Sequence, residues 1–234
     1  MRTKIALSVM AVGLLLWPLA APAGAQTDQQ QPVKIPEPGV PQIMTMEGRY
    51  VRAAYNNEGY VILGFQLANA SVGEEWMLLE IGASLMEKVP DYQLIREAIS
   101  LTTPDGKAIP LATLEEYRSA HLQALESRAK VTKDSINYFP PWAYEACRIG
   151  FFAQLEDRVK PWDFVELSPR RGCMGRLFFR VPGGIKYGQH WLDVKFEKSL
   201  VRVPFRIMTE EEQKYLDKNY KDISKQVKEA FKKK

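Results

Sequence analysis

Residues 175–208 read GRLFFRVPGGIKYGQHWLDVKFEKSLVRVPFRIM, and their apolar residues recur at every second position. Side chains of a strand alternate between its two faces, so Leu177, Phe179 and Val181 point one way along the first run. Leu192, Val194 and Phe196 do the same along the second, and Val201, Val203, Phe205 and Ile207 along the third. Pro182-Gly183-Gly184 supplies the turn chemistry between the first two runs. The spacing therefore predicts three short strands, Arg176–Val181, Trp191–Glu197 and Leu200–Met208, each with one buried face.

The same period extends toward the N-terminus. It marks strands at Arg49–Tyr55, Tyr60–Ala68, Trp76–Leu85, Tyr92–Leu101, Ala146–Leu155 and Trp162–Leu167, with a further turn at Pro104-Asp105-Gly106. Short strands separated by turns predict a β-sandwich over residues 46–208 rather than a parallel sheet. Two helical patterns interrupt and follow it. Thr113 with Glu116 forms a capping box, after which Leu114, Tyr117, His121, Ala124 and Leu125 keep helical spacing over about residues 113–130. Thr209 with Glu212 is a second capping box, and Leu216, Tyr220, Ile223 and Val227 form a narrow apolar stripe over residues 209–234. Such a stripe packs on the sandwich or docks a partner.

The order LTTPDGKAIPL followed by GRLFFRVPGGIKYGQHWLDVKFE resembles the telokin-like, immunoglobulin-like domains of bacterial exported proteins. In that family a strand with a PDG turn precedes a G-x-L-x-F-x-V-P strand and a closing hairpin. The resemblance implies a mainly β fold, an immunoglobulin-like antiparallel β-sandwich, here with an inserted α-helix and a C-terminal α-helix. It implies architecture and leaves function open, because one sandwich serves many roles.

The N-terminus reads as a secretory signal over residues 1–25. Arg2 and Lys4 precede an apolar run from Ile5 to Trp17, and Ala23-Gly24-Ala25 gives an A-x-A cleavage site. No cysteine stands at that site to carry a lipid anchor, and no later segment is apolar enough to span a bilayer, so the expected location is periplasmic or extracellular. Residues 26–45 are rich in Gln and Pro and read as a disordered linker. Removing Arg2 and Lys4 from the formal +4 leaves +2, a balance that together with export argues against nucleic acid as a partner. In an oxidising compartment Cys147 and Cys173 are expected to pair, the alternative being two buried thiols.

Candidate chemistry is sparse. The chain has two histidines and no G-x-S-x-G elbow. His121 falls in the apolar register of the first helix and reads as a packed core histidine, while His190 reads as an exposed turn residue. Glu97 falls on the apolar face of Tyr92–Leu101, and Met44 and Met46 are too few to suggest a metal site. No catalytic residue, metal or cofactor is therefore assigned. If the last three strands form one meander, the face opposite the core collects Arg176, Phe178, Arg180, Trp191, Lys195, Arg202 and Arg206, a basic aromatic surface suited to an envelope protein or to an anionic or sugar polymer. Pro204 places the last strand at an edge open to pairing. Phe139 and Trp142, in the YFPPWAY stretch at 138–144, are a second binding candidate or a clamp for the insertion. The leading expectation is an exported, non-enzymatic binding module of unknown oligomeric state. A hydrolase using His190 or Glu97, and a structural subunit docking through its C-terminal helix, are the alternatives.

Overall fold

The computed structural model describes residues 42–152 and 160–232. The expected signal segment 1–25, the linker up to residue 41 and the end of the strand expected at 146–155 lie outside the described residues. In chain order the strands are β1 (Ile43–Gly48), β2 (Val51–Tyr55), β3 (Gly59–Gly64), β4 (Trp76–Leu85), β5 (Tyr92–Ile95), β6 (Ile99–Thr102), β7 (Ala108–Pro110), β8 (Glu145–Ile149), β9 (Phe164–Leu167), β10 (Arg171–Arg180), β11 (Gly188–Lys195) and β12 (Leu200–Ile207). The helices are α1 (Gln66–Asn69), α2 (Leu114–Ser119), α3 (Gln123–Val131) and α4 (Glu210–Lys232). With 40% strand against 24% helix the protein is mainly β.

Two sheets and a ribbon account for these strands. The larger sheet has the order β1-β2-β3-β4-β10-β8, the smaller β12-β11-β6-β7, and β5 pairs with β9 alone. Every pairing is antiparallel except β8 with β10, which is parallel and departs from the all-antiparallel expectation. That pairing sets Cys173 directly opposite Cys147, and the two form a disulfide. The expected meander of the last three strands does not form. β10 pairs along Cys173–Arg180 with β4, and the chain then crosses to the other sheet before β11 and β12 pair with each other. Pro182-Gly183-Gly184 makes the crossing. Gly184 has φ +83°, and a Cβ there would stand 2.6 Å from the Gly73 carbonyl oxygen. Only glycine permits both the turn and the approach that lets Gly73 N–H donate to Ile185 O at 2.8 Å.

Alternation gives the larger sheet two buried faces. Val61, Leu63, Leu79, Ile81, Leu177 and Phe179 meet Leu192, Val194, Val203 and Phe205 of the smaller sheet in one continuous core. The opposite face is covered by the insertion between β7 and β8. Tyr117 of α2 and Phe152 close on Phe178 with ring centroids 4.8 and 5.1 Å away, and Ile136, Tyr138 and Phe139 pack over Val51, Ala53 and Ile62. Hence the insertion is a third layer and not a projecting arm.

Four local expectations change. The strand expected over Tyr60–Ala68 ends at Gly64, and Gln66–Asn69 turn into α1. The inserted helix is broken: His121 takes φ +50° between α2 and α3 and is exposed, so it is not a core histidine. The strand expected over Tyr92–Leu101 is interrupted by a 3-10 turn at Arg96–Ala98, which exposes Glu97 and buries Arg96 instead. Arg96 donates to the carbonyls of Phe151 and Ala112 and lies over the Phe152 ring at 4.7 Å, so its charge is solvated by the protein. Residues 43–45, placed in the linker by composition, belong to β1, where Met46 is buried and Met44 packs on the core. The C-terminal stripe packs on the molecule: Leu216 is buried, Tyr220, Ile223 and Val227 lie against the same core, and Arg49 pairs with Asp217 at 3.0 Å.

Candidate binding cleft

Crossing between sheets disperses the expected basic face. Arg176 lies under α3, 3.8 Å from Glu80 and donating to Ala129 O at 3.0 Å, and Phe178 is fully buried. Arg202 forms a two-pronged pair with Asp193 at 2.6 and 2.8 Å, and Arg206 donates to Glu212 at the start of α4. Trp191 and Lys195 remain on the outer face of the smaller sheet, and Arg180 stands apart on the larger one. Phe139 and Trp142 serve as the clamp, since Phe139 packs on the larger sheet and Trp142 Nε1 donates to Leu85 O at 3.2 Å. The β12 edge is also engaged: Gln42 donates to Arg202 O at 2.6 Å and accepts from Arg202 N–H at 2.9 Å.

The described residues instead form a cleft of about 640 Å³ at the end of the two sheets. One wall is Thr103–Pro110, the turn and edge strand that follow β6; the other is Arg180–Gly184, with Lys186, Glu75 and Glu116 at the rim. Both walls are built on turn chemistry visible in the sequence. Gly106 at φ +79° lets Gly106 N–H close on Thr103 O at 2.9 Å, and Gly183 and Gly184 turn the facing wall. Pro104, Ile109, Pro110, Val181 and Pro182 give the lining its apolar part.

Charge is unevenly spread around this opening. Lys107 Nζ lies 3.3 Å and Lys186 Nζ 3.6 Å from the same Asp105 Oδ2, so two ammonium groups share one carboxylate. The Thr103 hydroxyl, followed by Lys107, holds the Asp105 carboxyl down to about 2. Two ammonium groups against one carboxylate give the Lys107–Asp105–Lys186 cluster a local charge of +1, within a lining whose three cations and three carboxylates otherwise balance. Arg180 and Glu75 are 3.9 Å apart and balance each other, while Glu116 caps α2 by accepting from Thr113 N–H at 2.9 Å. Lys107 directly follows Gly106 and Lys186 lies two residues after Gly184, so both turns are visible in the sequence while the meeting of the lysines at Asp105 is not.

His190 lines the inner part of the cleft and is buried, contrary to the exposed turn expected. Its Nδ1 lies 3.1 Å from Gly188 O, its ring stacks on Phe205 at 5.3 Å, and burial pushes its pKa down to about 4. A neutral ring with Nδ1–H donating to that carbonyl leaves Nε2 as an acceptor without a hydrogen-bond partner among the described residues. Among the described residues no group of three or more metal-ligating side chains gathers. No family model matches the chain, and neither curated proteins nor solved structures yield a match.

Proposed function

We propose that the protein is an exported, non-enzymatic binding module that holds its partner in the cleft between Thr103–Pro110 and Arg180–Lys186. The observation that carries this reading is the cleft itself: a concave site whose apolar walls at Pro104, Ile109, Val181 and Pro182 carry a charged rim, framed by two glycine-bearing turns. Those turns are also the segments that resemble telokin-like, immunoglobulin-like domains, and we take the architecture as kin to that sandwich. Export is supported by the A-x-A signal pattern before Gln26 and by the Cys147–Cys173 disulfide, a bond suited to an oxidising compartment. The Lys107–Asp105–Lys186 cluster, with two ammonium groups on one carboxylate, favours an acidic envelope protein or an anionic polymer at that end of the cleft.

The test compares wild type with the Lys107→Glu/Lys186→Glu double variant, both side chains being more than half exposed and outside the core. Immobilised wild type is expected to retain envelope material that the variant releases, and N-terminal sequencing of the extracytoplasmic protein is expected to begin at Gln26. Identical retention by the two proteins would remove the cleft as the site.

A further inference from the structure

The cleft runs between two stretches of strand that each have one side covered by no further strand among the described residues. Lys107 C=O accepts from Thr103 N–H at 3.0 Å, so Lys107 and, two residues on, Ile109 aim their backbone groups at β6. Ala108 and Pro110 aim theirs the other way, and β7 is the last strand of its sheet among the described residues. On the facing wall Val181 N–H donates to Glu75 O at 2.6 Å, which turns the odd-numbered residues of β10 toward β4 and Phe178 and Arg180 away from it. β8 covers that outer side only as far as Gly175. Ala112 N–H donates to Phe178 O at 3.0 Å and pins the walls together at the inner end, and Lys186 with Asp105 ties them at the rim.

The far edge of the smaller sheet is treated differently. Along β12, Gln42 occupies both backbone groups of Arg202, Asn69 accepts from Met208 N–H at 2.7 Å, Asn56 reaches Leu200 O at 3.5 Å, and Pro204 has no N–H to offer. One edge is blunted, as soluble sheets require, while the edge facing the cleft keeps an N–H and two carbonyls in position to pair.

We propose that an extended acidic segment of a partner protein adds as a strand to β7 inside the cleft, its carboxylate side chain seated at the Lys107 and Lys186 rim. The backbone of Ala108 and Pro110 supplies the pairing, Arg180 faces the incoming segment from the other wall, and the local +1 of the Lys107–Asp105–Lys186 cluster favours an acidic side chain over a basic one at that end of the cleft. This deepens the cleft reading and rests on it.

The experiment titrates the ¹⁵N-labelled protein with a pooled library of acidic hexapeptides, then with the best member, its Asp→Lys counterpart, its alternately N-methylated form, and a sulfated hexasaccharide. The expected result is amide shifts confined to residues 103–110 and 180–186, with exchange of the Ala108 amide slowed at least about tenfold by the acidic peptide. The lysine counterpart is expected to bind about fivefold more weakly, and N-methylation to abolish binding. Lys107→Glu/Lys186→Glu, which leaves the ladder intact, is expected to reverse the charge preference. Equal binding of the N-methylated peptide overturns strand pairing. Shifts in the cleft from the saccharide and from no peptide overturn the peptide assignment while keeping the cleft as a site. Silence of the cleft toward every probe overturns both, and a concentration-dependent dimer that protects Ala108 names a second copy as the occupant instead.

Discussion

Two buried ionisable groups pull the pH dependence of stability in opposite directions. His190 titrates near 4 when folded against an ordinary 6.5, so it contributes stability above pH 6.5 that is lost as pH falls through 4. Asp134, which accepts from Gln66 N–H at 2.9 Å under the insertion, is pushed by burial from 3.8 up to about 6. Its contribution is present below pH 3.8 and lost as pH rises through 6, and Glu80, which accepts from Asp134 N–H, is shifted in the same direction by the same cause. Each of the two larger shifts is worth about 3 kcal/mol, so they nearly cancel between pH 4 and 6. Relative to wild type, Asp134→Asn is expected to lose about 3 kcal/mol on acidification from pH 6 to 4, and His190→Gln to gain about as much. Urea denaturation at pH 4, 5, 6 and 7 checks this; two variants that parallel wild type would contradict it. Glycines divide similarly by surroundings. Gly184→Ala meets the Gly73 carbonyl as well as a left-handed backbone and is expected to cost about 3 kcal/mol or more, whereas Gly106→Ala, with nothing within 4 Å of its Cβ, should cost about 1. Equal midpoints for the two alanine variants would refute the close approach at Gly184.

At the scale of elements, what was local was legible. Both capping boxes form as read, Thr113 with Glu116 and Thr209 with Glu212, and β4 spans Trp76–Leu85 as its alternation indicates. The break at His121 was not legible, because Tyr117 and Leu125 keep helical spacing across it and are both buried. β7 has no sequence signature, because three residues ending in proline carry no period. Partner choice is the least legible feature: alternation says which face of β10 is buried but not which strand lies beside it, so Arg176 and Arg206 share a predicted face yet belong to different sheets. The Cys147–Cys173 bond links strands already side by side and closes a separation of 26 residues, and replacing both cysteines by alanine should cost about 3.5 kcal/mol on the chain-entropy model. An unchanged denaturation midpoint would contradict that. Deleting residues 209–234 uncovers β1 and removes buried Leu216, with an expected loss of about 3 kcal/mol measured by thermal unfolding. Unaltered stability would instead assign α4 to docking.

For the whole molecule, the far face of the larger sheet is the organising feature. Once the insertion covers it, the face carrying Arg176 and Phe178 is core, and the concave opening lies at the end of the sheets where β8 has stopped and β7 is short. The walls of the cleft meet at Ala112 and Phe178 and at the Asp105 rim, and among the described residues no strand covers the sides of β7 and of the end of β10 that face between them. The most direct measurement is residue-resolved amide hydrogen exchange of the unliganded protein. The account predicts fast exchange at Ala108 and Arg180 beside slow exchange at Ile109 and Val181, whose N–H groups face β6 and Glu75. Ala108 and Arg180 as slow as their neighbours would mean that the walls pair with each other and that no open edge lines the cleft.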